Sequence, residues 1–324
     1  MERLLSDSEK ARNGFPSGRA TIKESAPAKI NLFLQIGERR GDGYHPLQSL
    51  AVFTALGDVL TAEAADTLSL SLDGPFASSL AGESDTLVLR AAKALAAKAG
   101  VTAGAKLSLT KNLPVASGIG GGSADAAAAL RALSTLWNLN LDEAALRDIA
   151  ASLGSDIPVC VVSQPRWMEG RGEILSSIAS LPHLPLLLVN PNVAAPTKDV
   201  FAALSSRTGV DRKLPPGRFR DMADLLRFLD GSKNDLEEPA RRLQPVIGEV
   251  LKALACLPGA LFSRMSGSGA TCFAVFPDND GAASAAALLA QAHPGWWIAP
   301  TSVAEFGIEH EDAGQDIGPT DIGL

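Results

Sequence analysis

Apolar and polar residues alternate over residues 28–37, which read AKINLFLQIG. The apolar side chains recur at every second position from Ile30 to Ile36, and this period predicts a β-strand with one buried face. Lys29 and Asn31 lie on the other face. Residues two apart on a strand are separated by about 6.6 Å. We therefore expect these two polar side chains to stand next to each other.

The remaining pattern predicts strands and helices that interleave along the chain. Strands are expected at residues 52–62, 106–110 and 271–276 and within 180–191, and helices at 86–99, after 122, from 143, and over 222–228, 236–257 and 282–292. Asp142 is predicted to cap the helix that it precedes, and Gly154 to end it. Residues 157–162 form a short apolar run that should be buried. This mixture is typical of an α+β protein.

A chain of 324 residues is long for one domain, and its length favours two. We predict a loose N-terminal extension at residues 1–20, a first domain at 21–175 and a second at 176–308. The final segment, 309–324, contains five acidic residues and no lysine or arginine. It accounts for most of the net charge of -7 and is expected to be an acidic tail.

Composition and charge exclude several classes of function. The chain is 46% hydrophobic and 20% charged, as in globular proteins. It has no basic stripe for nucleic acid, no apolar run of membrane-spanning length and no secretory signal. Cys160, Cys256 and Cys272 lie among apolar neighbours without metal-binding spacing, so we expect buried, reduced thiols in the cytoplasm. Tyr44 is the single tyrosine.

Residues 111–129, KNLPVASGIGGGSADAAAA, combine a glycine cluster with the start of a helix. Glycines let successive backbone N–H groups converge on an anion, and the helix directs its positive end at the same place. The pattern therefore predicts phosphate binding. It is neither a Walker A loop nor a dinucleotide-binding loop. A flexible turn before an alanine-rich helix is the structural alternative.

These residues resemble the second motif of the GHMP kinase family, P-x-x-x-G-[LI]-G-G-G-S-[SA]. The resemblance implies a two-domain fold, the first domain like domain 2 of ribosomal protein S5 and the second ferredoxin-like. It also implies that ATP lies against the glycine loop and that Mg²⁺ takes part, with Ser123 as the candidate metal ligand. The implied ATP-binding residues are Pro114, Val115, Ala116, Ser117, Gly118, Ile119, Gly120, Gly121, Gly122, Ser123 and Ala124.

Further segments extend the resemblance over residues 25–308. They read PAKINLFL (27–34), GDGYHPLQSL (41–50), GSDIP (154–158), GRGE (170–173), NDLE (234–237) and MSGSGATCFAVF (265–276). The GYHPLQ segment resembles the family branch that phosphorylates a cytidine-diphosphate-linked methylerythritol on its 2-hydroxyl. A mevalonate- or homoserine-type kinase and a non-catalytic nucleotide-binding relative are the alternatives. The resemblance implies a small-molecule substrate in the cleft between the domains, with the protein a monomer or homodimer.

The resemblance also assigns roles to single residues. Lys29 and Asp156 match the family's catalytic pair, although a solvated lysine and a capping aspartate are the structural alternatives. Asn31, Tyr44, His45 and Phe201 are the implied substrate-binding residues. The second glycine loop, SGSGAT at 266–271, would close over the phosphates, or be a plain hairpin turn.

Some residues depart from the family pattern. Thr86 stands where the family often has asparagine near the adenine, which puts that contact in doubt.

Overall fold

The computed structural model describes residues 21–39, 41, 45–82, 85–205, 207, 209–210 and 218–304. Two long antiparallel strands, β1 (Ile22–Ile36) and β2 (Leu47–Ala65), form its centre. The predicted strand at 28–37 is confirmed, but the prediction of a single buried face is wrong. Every residue of β1 from Ala26 onward is buried, including Lys29 and Asn31, because other parts of the chain cover both of its faces.

The first sheet has the strand order β3-β4-β2-β5-β6, and β1 pairs with β2. The other strands are β3 (Ser69–Asp73), β4 (Gly104–Thr110), β5 (Arg166–Glu169) and β6 (Ile174–Ser177). Its helices are α1 (Leu87–Ala99), α2 (Gly121–Leu136), α3 (Glu143–Ala151) and α4 (Ile157–Val162), with a 3-10 turn at Ala77–Leu80. Small alanine side chains on α2 are fully buried, which lets this helix pack closely against the sheet and α1.

The second sheet is fully antiparallel, with the order β10-β7-β9-β8. Its strands are β7 (Pro185–Asn190), β8 (Phe262–Met265), β9 (Cys272–Val275) and β10 (Trp297–Ser302). Its helices are α5 (Thr197–Ala202), α6 (Met222–Asp230), α7 (Glu237–Leu243), α8 (Val246–Ala255) and α9 (Asn279–Ala292). This order and the placement of helices between strands give the expected ferredoxin-like arrangement.

Helix ends follow local chemistry, with one exception. Thr86 caps α1, since its hydroxyl accepts from the Leu89 N–H at 3.4 Å, and Gly100 ends the helix in the left-handed region. Asp142 caps α3 as predicted. The predicted stop at Gly154 is wrong because α3 ends at Ala151. Ser152 follows as the C-cap, and its hydroxyl donates to the Ile149 carbonyl.

Three other predictions need correction. The single helix expected at 236–257 is two helices, α7 and α8, because Pro245 lacks the N–H that a continuous helix requires. The strand expected at 52–62 extends over 47–65. Cys256 is exposed just after α8, whereas Cys160 and Cys272 are buried as predicted.

The two halves meet along the outer edge of β1. Leu34 exchanges backbone hydrogen bonds with Lys233 and Asp235, and the guanidinium of Arg264 donates to the Leu32 carbonyl at 2.9 Å. A cleft of about 1380 Å³ lies beside this junction. The N-terminal extension, the acidic tail and Tyr44 lie outside the described residues, and the domain boundary at 175/176 stays a prediction. No helix in the described ranges is long and apolar enough to cross a membrane.

Candidate active site

The glycine loop connects β4 to α2 and lines the cleft. Gly120 adopts the left-handed region at φ 67°, and its carbonyl accepts from the Ala124 N–H as α2 begins. A side chain at Gly120 would place its Cβ 3.2 Å from that of Lys29. Glycine thus allows the loop to lie directly against the lysine. The glycine loop and the N-terminus of α2 therefore both lie at the cleft, an arrangement that suits the binding of phosphate groups.

Lys29 and Asp156 form an ion pair at the centre of this cleft. The Lys29 ammonium lies 2.8 Å from the Asp156 Oδ2 atom, and their side chains are 4% and 43% exposed. The Lys29 N–H also donates to the Ile119 carbonyl of the glycine loop. Lys29 is therefore a buried, paired lysine, and the alternative of a solvated lysine is wrong. The Asp156 side chain does not cap α4, so its carboxylate is directed to the lysine and the cleft.

A second lysine beside the glycine loop was not predicted from the sequence. The ammonium of Lys111 contacts the Asp58 carboxylate and lies 2.7 Å from Asp125 Oδ2, and all three side chains are buried. Asp58 Oδ1 accepts from the backbone N–H groups of Asn112 and Leu113. The carboxylates are 53 and 14 residues away in sequence, so no local pattern indicates the cluster.

In this second cluster, burial and the neighbouring charges favour the protonated form of Lys111 and disfavour the ionised form of Asp125. Burial raises the pKa of Asp125 to about 8, against the attraction of Lys111. Burial by itself lowers the pKa of Lys111, but the charges of Asp125 and Asp58 outweigh it and hold the pKa above its ordinary value. Asp125 Oδ1 has no hydrogen-bond partner among the described residues.

Asn31 lies next to Lys29 at the cleft. Its Nδ2 donates to the Ser49 hydroxyl at 2.7 Å, and that hydroxyl donates to the Phe33 carbonyl at 2.6 Å. The amide group is therefore held in one orientation. Asn31 is one of the residues that line the cleft.

His45 and Phe201 line another part of the cleft. Their ring centroids are 6.4 Å apart at an interplanar angle of 33°. His45 Nδ1 lies 3.0 Å from the Gly37 carbonyl, which can only accept, so Nδ1 donates and a neutral imidazole keeps Nε2 as an acceptor. The structure thus brings together two of the predicted substrate residues.

Thr86, Val115 and Ser123 also line the cleft. The Thr86 hydroxyl accepts the capping hydrogen bond of α1. It therefore differs from the asparagine that the family often has at this position near the adenine. The Ser123 hydroxyl forms no hydrogen bond within the described residues. In that part of the chain, no group of three or more His, Cys, Asp or Glu side chains is arranged to hold a metal ion.

The second glycine loop packs directly on the first. A Cβ at Gly118 would lie 2.6 Å from the backbone N of Gly269, and one at Gly267 would lie 2.6 Å from the Gly118 carbonyl oxygen. The Thr271 N–H donates to the Ser117 carbonyl at 3.0 Å. Because each loop excludes a side chain from the other, the two loops form one interlocked unit.

Comparison with known proteins identifies similar sequences over most of the chain. The family model for the GHMP kinase N-terminal domain matches residues 86–164, and that for the C-terminal domain matches 210–294. The 4-diphosphocytidyl-2-C-methyl-D-erythritol kinase of Parvibaculum lavamentivorans is 50% identical over 282 residues, covering 86% of this chain and 96% of the relative. The enzyme of the same name from Ruegeria pomeroyi is 50% identical over 280 residues, covering 86% and 98%.

Solved structures show the same architecture. A crystal structure of 4-(cytidine 5'-diphospho)-2C-methyl-D-erythritol kinase matches with a TM-score of 0.71 at 32% identity, over 88% of this chain and 100% of that chain. The mevalonate kinase of L. major, in complex with R-mevalonate, matches with a TM-score of 0.61 at 17% identity, over 90% and 98%. The second likeness concerns the fold alone.

Proposed function

The chain belongs to the GHMP kinase family, and we propose that it is the enzyme that transfers the γ-phosphate of ATP to the 2-hydroxyl of 4-diphosphocytidyl-2-C-methyl-D-erythritol. This is a step of the non-mevalonate route to isoprenoid precursors. One observation carries the proposal at the level of chemistry. The Lys29–Asp156 ion pair, at 2.8 Å, shares a cleft with the glycine loop and the His45–Phe201 pair.

Asp156 acts as the general base in this proposal. Its carboxylate accepts the proton of the 2-hydroxyl while the hydroxyl oxygen bonds to the γ-phosphorus. The bond between the γ-phosphorus and the β–γ bridging oxygen breaks, and ADP leaves with that oxygen. Lys29 pairs with the Asp156 carboxylate and offsets negative charge on the attacking oxygen.

The glycine loop and the N-terminus of α2 bind the ATP phosphates in this account. The predicted residues from Pro114 to Ala124 supply the backbone groups. Val115, which is 37% exposed, and Thr86 border the same space and would flank the adenine.

Mg²⁺ is part of the proposal through the phosphates. When bound, the ion supplies neutralisation of the β- and γ-phosphate oxygens. The Ser123 hydroxyl fits a magnesium ligand, since it lines the cleft and is not used by another described residue. Magnesium in kinases takes few protein ligands beside phosphate and water, so a dedicated carboxylate cluster is not required.

The cytidine end of the substrate is assigned to His45 and Phe201, with Tyr44 as a further predicted contact. An aromatic face stacks on a pyrimidine, and the acceptor nitrogen of His45 matches the exocyclic amino group of cytosine. Asn31 is placed against the methylerythritol portion. These residues set the choice of a cytidylated substrate over mevalonate or homoserine.

The cellular setting completes the proposal. The free thiols of Cys160, Cys256 and Cys272 are consistent with the reducing cytoplasm, and the net charge of -7 favours a small-molecule partner over nucleic acid. We expect it to act as a monomer or homodimer.

The direct test is ADP release with a panel of purified acceptors. We expect turnover of 4-diphosphocytidyl-2-C-methyl-D-erythritol and not of mevalonate, homoserine or the methylerythritol phosphate that lacks cytidine. Mass spectrometry of the product would show one added phosphate. Turnover of mevalonate or homoserine in place of the cytidylated substrate would assign another kinase activity, and ATP binding without any turnover would indicate a non-catalytic relative.

A further inference from the structure

Among the described residues no named strand pairs with the outer edge of β1, which forms one isolated bridge between Leu34 and Asn234, yet several of its N–H groups have acceptors. Lys29 donates to the Ile119 carbonyl, Asn31 to the Ser266 hydroxyl and Leu34 to the Lys233 carbonyl. The Ile36 N–H donates to the Asp235 carboxylate at 2.8 Å. Three of these four acceptors come from the second half of the chain. The outer edge of the strand that carries Lys29 is therefore held largely by the second half of the chain, while its other edge pairs with β2.

Ser266 is the point where this edge meets the glycine loop. Its hydroxyl accepts from the Asn31 N–H at 3.1 Å and donates to the Gly118 carbonyl at 3.2 Å. The residue is fully buried. Removing the hydroxyl would leave both a buried N–H and a buried carbonyl without this partner.

The Ser266 hydroxyl is itself fixed by its surroundings. Its backbone N–H donates to the Thr271 carbonyl, and its carbonyl accepts from the Gly269 N–H. Asn234 holds the same loop by donating its amide to the carbonyls of Met265 and Gly267, both at 2.8 Å. The hydroxyl thus sits on a rigid support, as a group that sets catalytic geometry should.

We infer that Ser266 is a positioning residue that sets the distance between Lys29 and the phosphate-binding loop. The inference rests on the proposed kinase activity. Lys29 lies two residues before Asn31 on one rigid strand, and Gly118 lies two residues before Gly120, which contacts Lys29. The Ser266 hydroxyl therefore bridges the strand of the catalytic pair to the loop that holds ATP, in addition to the direct hydrogen bond from the Lys29 N–H to the Ile119 carbonyl.

The test compares Ser266→Ala with a matched buried serine. We expect Ser266→Ala to lower kcat by about 10- to 100-fold, since a small misplacement of catalytic groups has an effect of that order. The KM for the cytidylated substrate should change by less than about threefold, because His45 and Phe201 are not touched. Ser266→Thr, which keeps a hydroxyl, should recover most of kcat.

Ser232→Ala is the control. Its hydroxyl also donates to one carbonyl, that of Leu229, and accepts one bond, from Arg264, but neither bond reaches the glycine loop. We expect it to lower thermal stability and leave kcat unchanged. An equal fall of kcat in both alanine variants, or a Ser266→Ala kcat within about threefold of wild type, would overturn the inference.

Two outcomes need separate handling. If Ser266→Ala does not fold, Ser266→Cys replaces it, and its thiol, a weaker donor, should give an intermediate kcat. An unchanged kcat there would equally overturn the inference. If the wild-type protein turns over a different acceptor, the proposed substrate is wrong, and the same comparison of kcat is then made with that acceptor.

Discussion

Two lysines border the glycine loop, and their surroundings differ in one decisive respect. Lys29 pairs with a single carboxylate, Asp156, that is 43% exposed. Lys111 pairs with two carboxylates that are almost completely buried. In the proposed mechanism the first pair exchanges a proton with a bound substrate. The second pair borders the same cleft but is almost completely buried, and we propose that it supports the loop.

The largest expected effect is the loss of stability in Lys111→Met. The substitution leaves Asp58 and Asp125 buried without their shared cation, and breaking a buried ion pair in this way costs about 3–5 kcal/mol. Urea unfolding followed by circular dichroism measures the change. Lys98→Met, at an exposed position near the end of α1, should stay within about 0.5 kcal/mol of wild type. A change below about 1 kcal/mol for Lys111→Met would contradict a supporting role.

The same substitution at the other lysine should have the reverse profile. Lys29→Met removes the cation beside an exposed carboxylate, so we expect its free energy of unfolding to change by less than about 1 kcal/mol. The kcat should fall by about 10²-fold or more, because the charge on the attacking oxygen loses its partner. Steady-state kinetics and urea unfolding on one preparation decide the matter. A stable variant with normal kcat would remove Lys29 from the mechanism.

A smaller effect should separate the clusters by pH. Burial raises the folded-state pKa of Asp125 to about 8 from an ordinary value of 3.8, so the folded form binds the proton more tightly than the unfolded form. The stability that this proton provides is fully present below the unfolded-state pKa of 3.8. It is lost as pH rises from there through the folded-state pKa of about 8. Relative to Asp125→Asn, which cannot titrate there, the wild type should lose up to about 1.4 kcal/mol per pH unit.

Urea unfolding of both proteins from pH 5 to pH 9.5 tests this expectation. The two stability curves should converge or cross as pH rises and run parallel above about pH 8 to 9. Curves that stay parallel over the whole range would show that Asp125 is ionised throughout, and that Lys111 compensates its burial fully.

Local signals in the sequence predicted much of the fold. Thr86 and Gly100 bound α1 because capping depends on neighbouring residues alone. Pro245 is an equally local signal for a break between two helices, although a single helix was predicted across it. The burial of both faces of β1 was not predictable, since it depends on segments 199 to 235 residues away.

The candidate site divides in the same way. The composition of the glycine loop indicates phosphate binding, whereas the roles of Lys29 and Asn31 were implied only by the family resemblance. The sequence assigned no role to Lys111, because its partners come from β2 and α2. Ser266 was recognised as part of a glycine loop, but its link to Asn31 spans 235 positions and required the tertiary structure.

The central claim is that Asp156 is the proton acceptor and Lys29 its partner, and Asp156→Asn tests it most directly. We predict that kcat falls by at least about 10²-fold with the cytidylated substrate, while ATP still binds and the free energy of unfolding is nearly unchanged. Asp148→Asn, the same substitution at an exposed position of α3 outside the cleft, should retain the wild-type kcat. Near-normal kcat in Asp156→Asn would contradict the account.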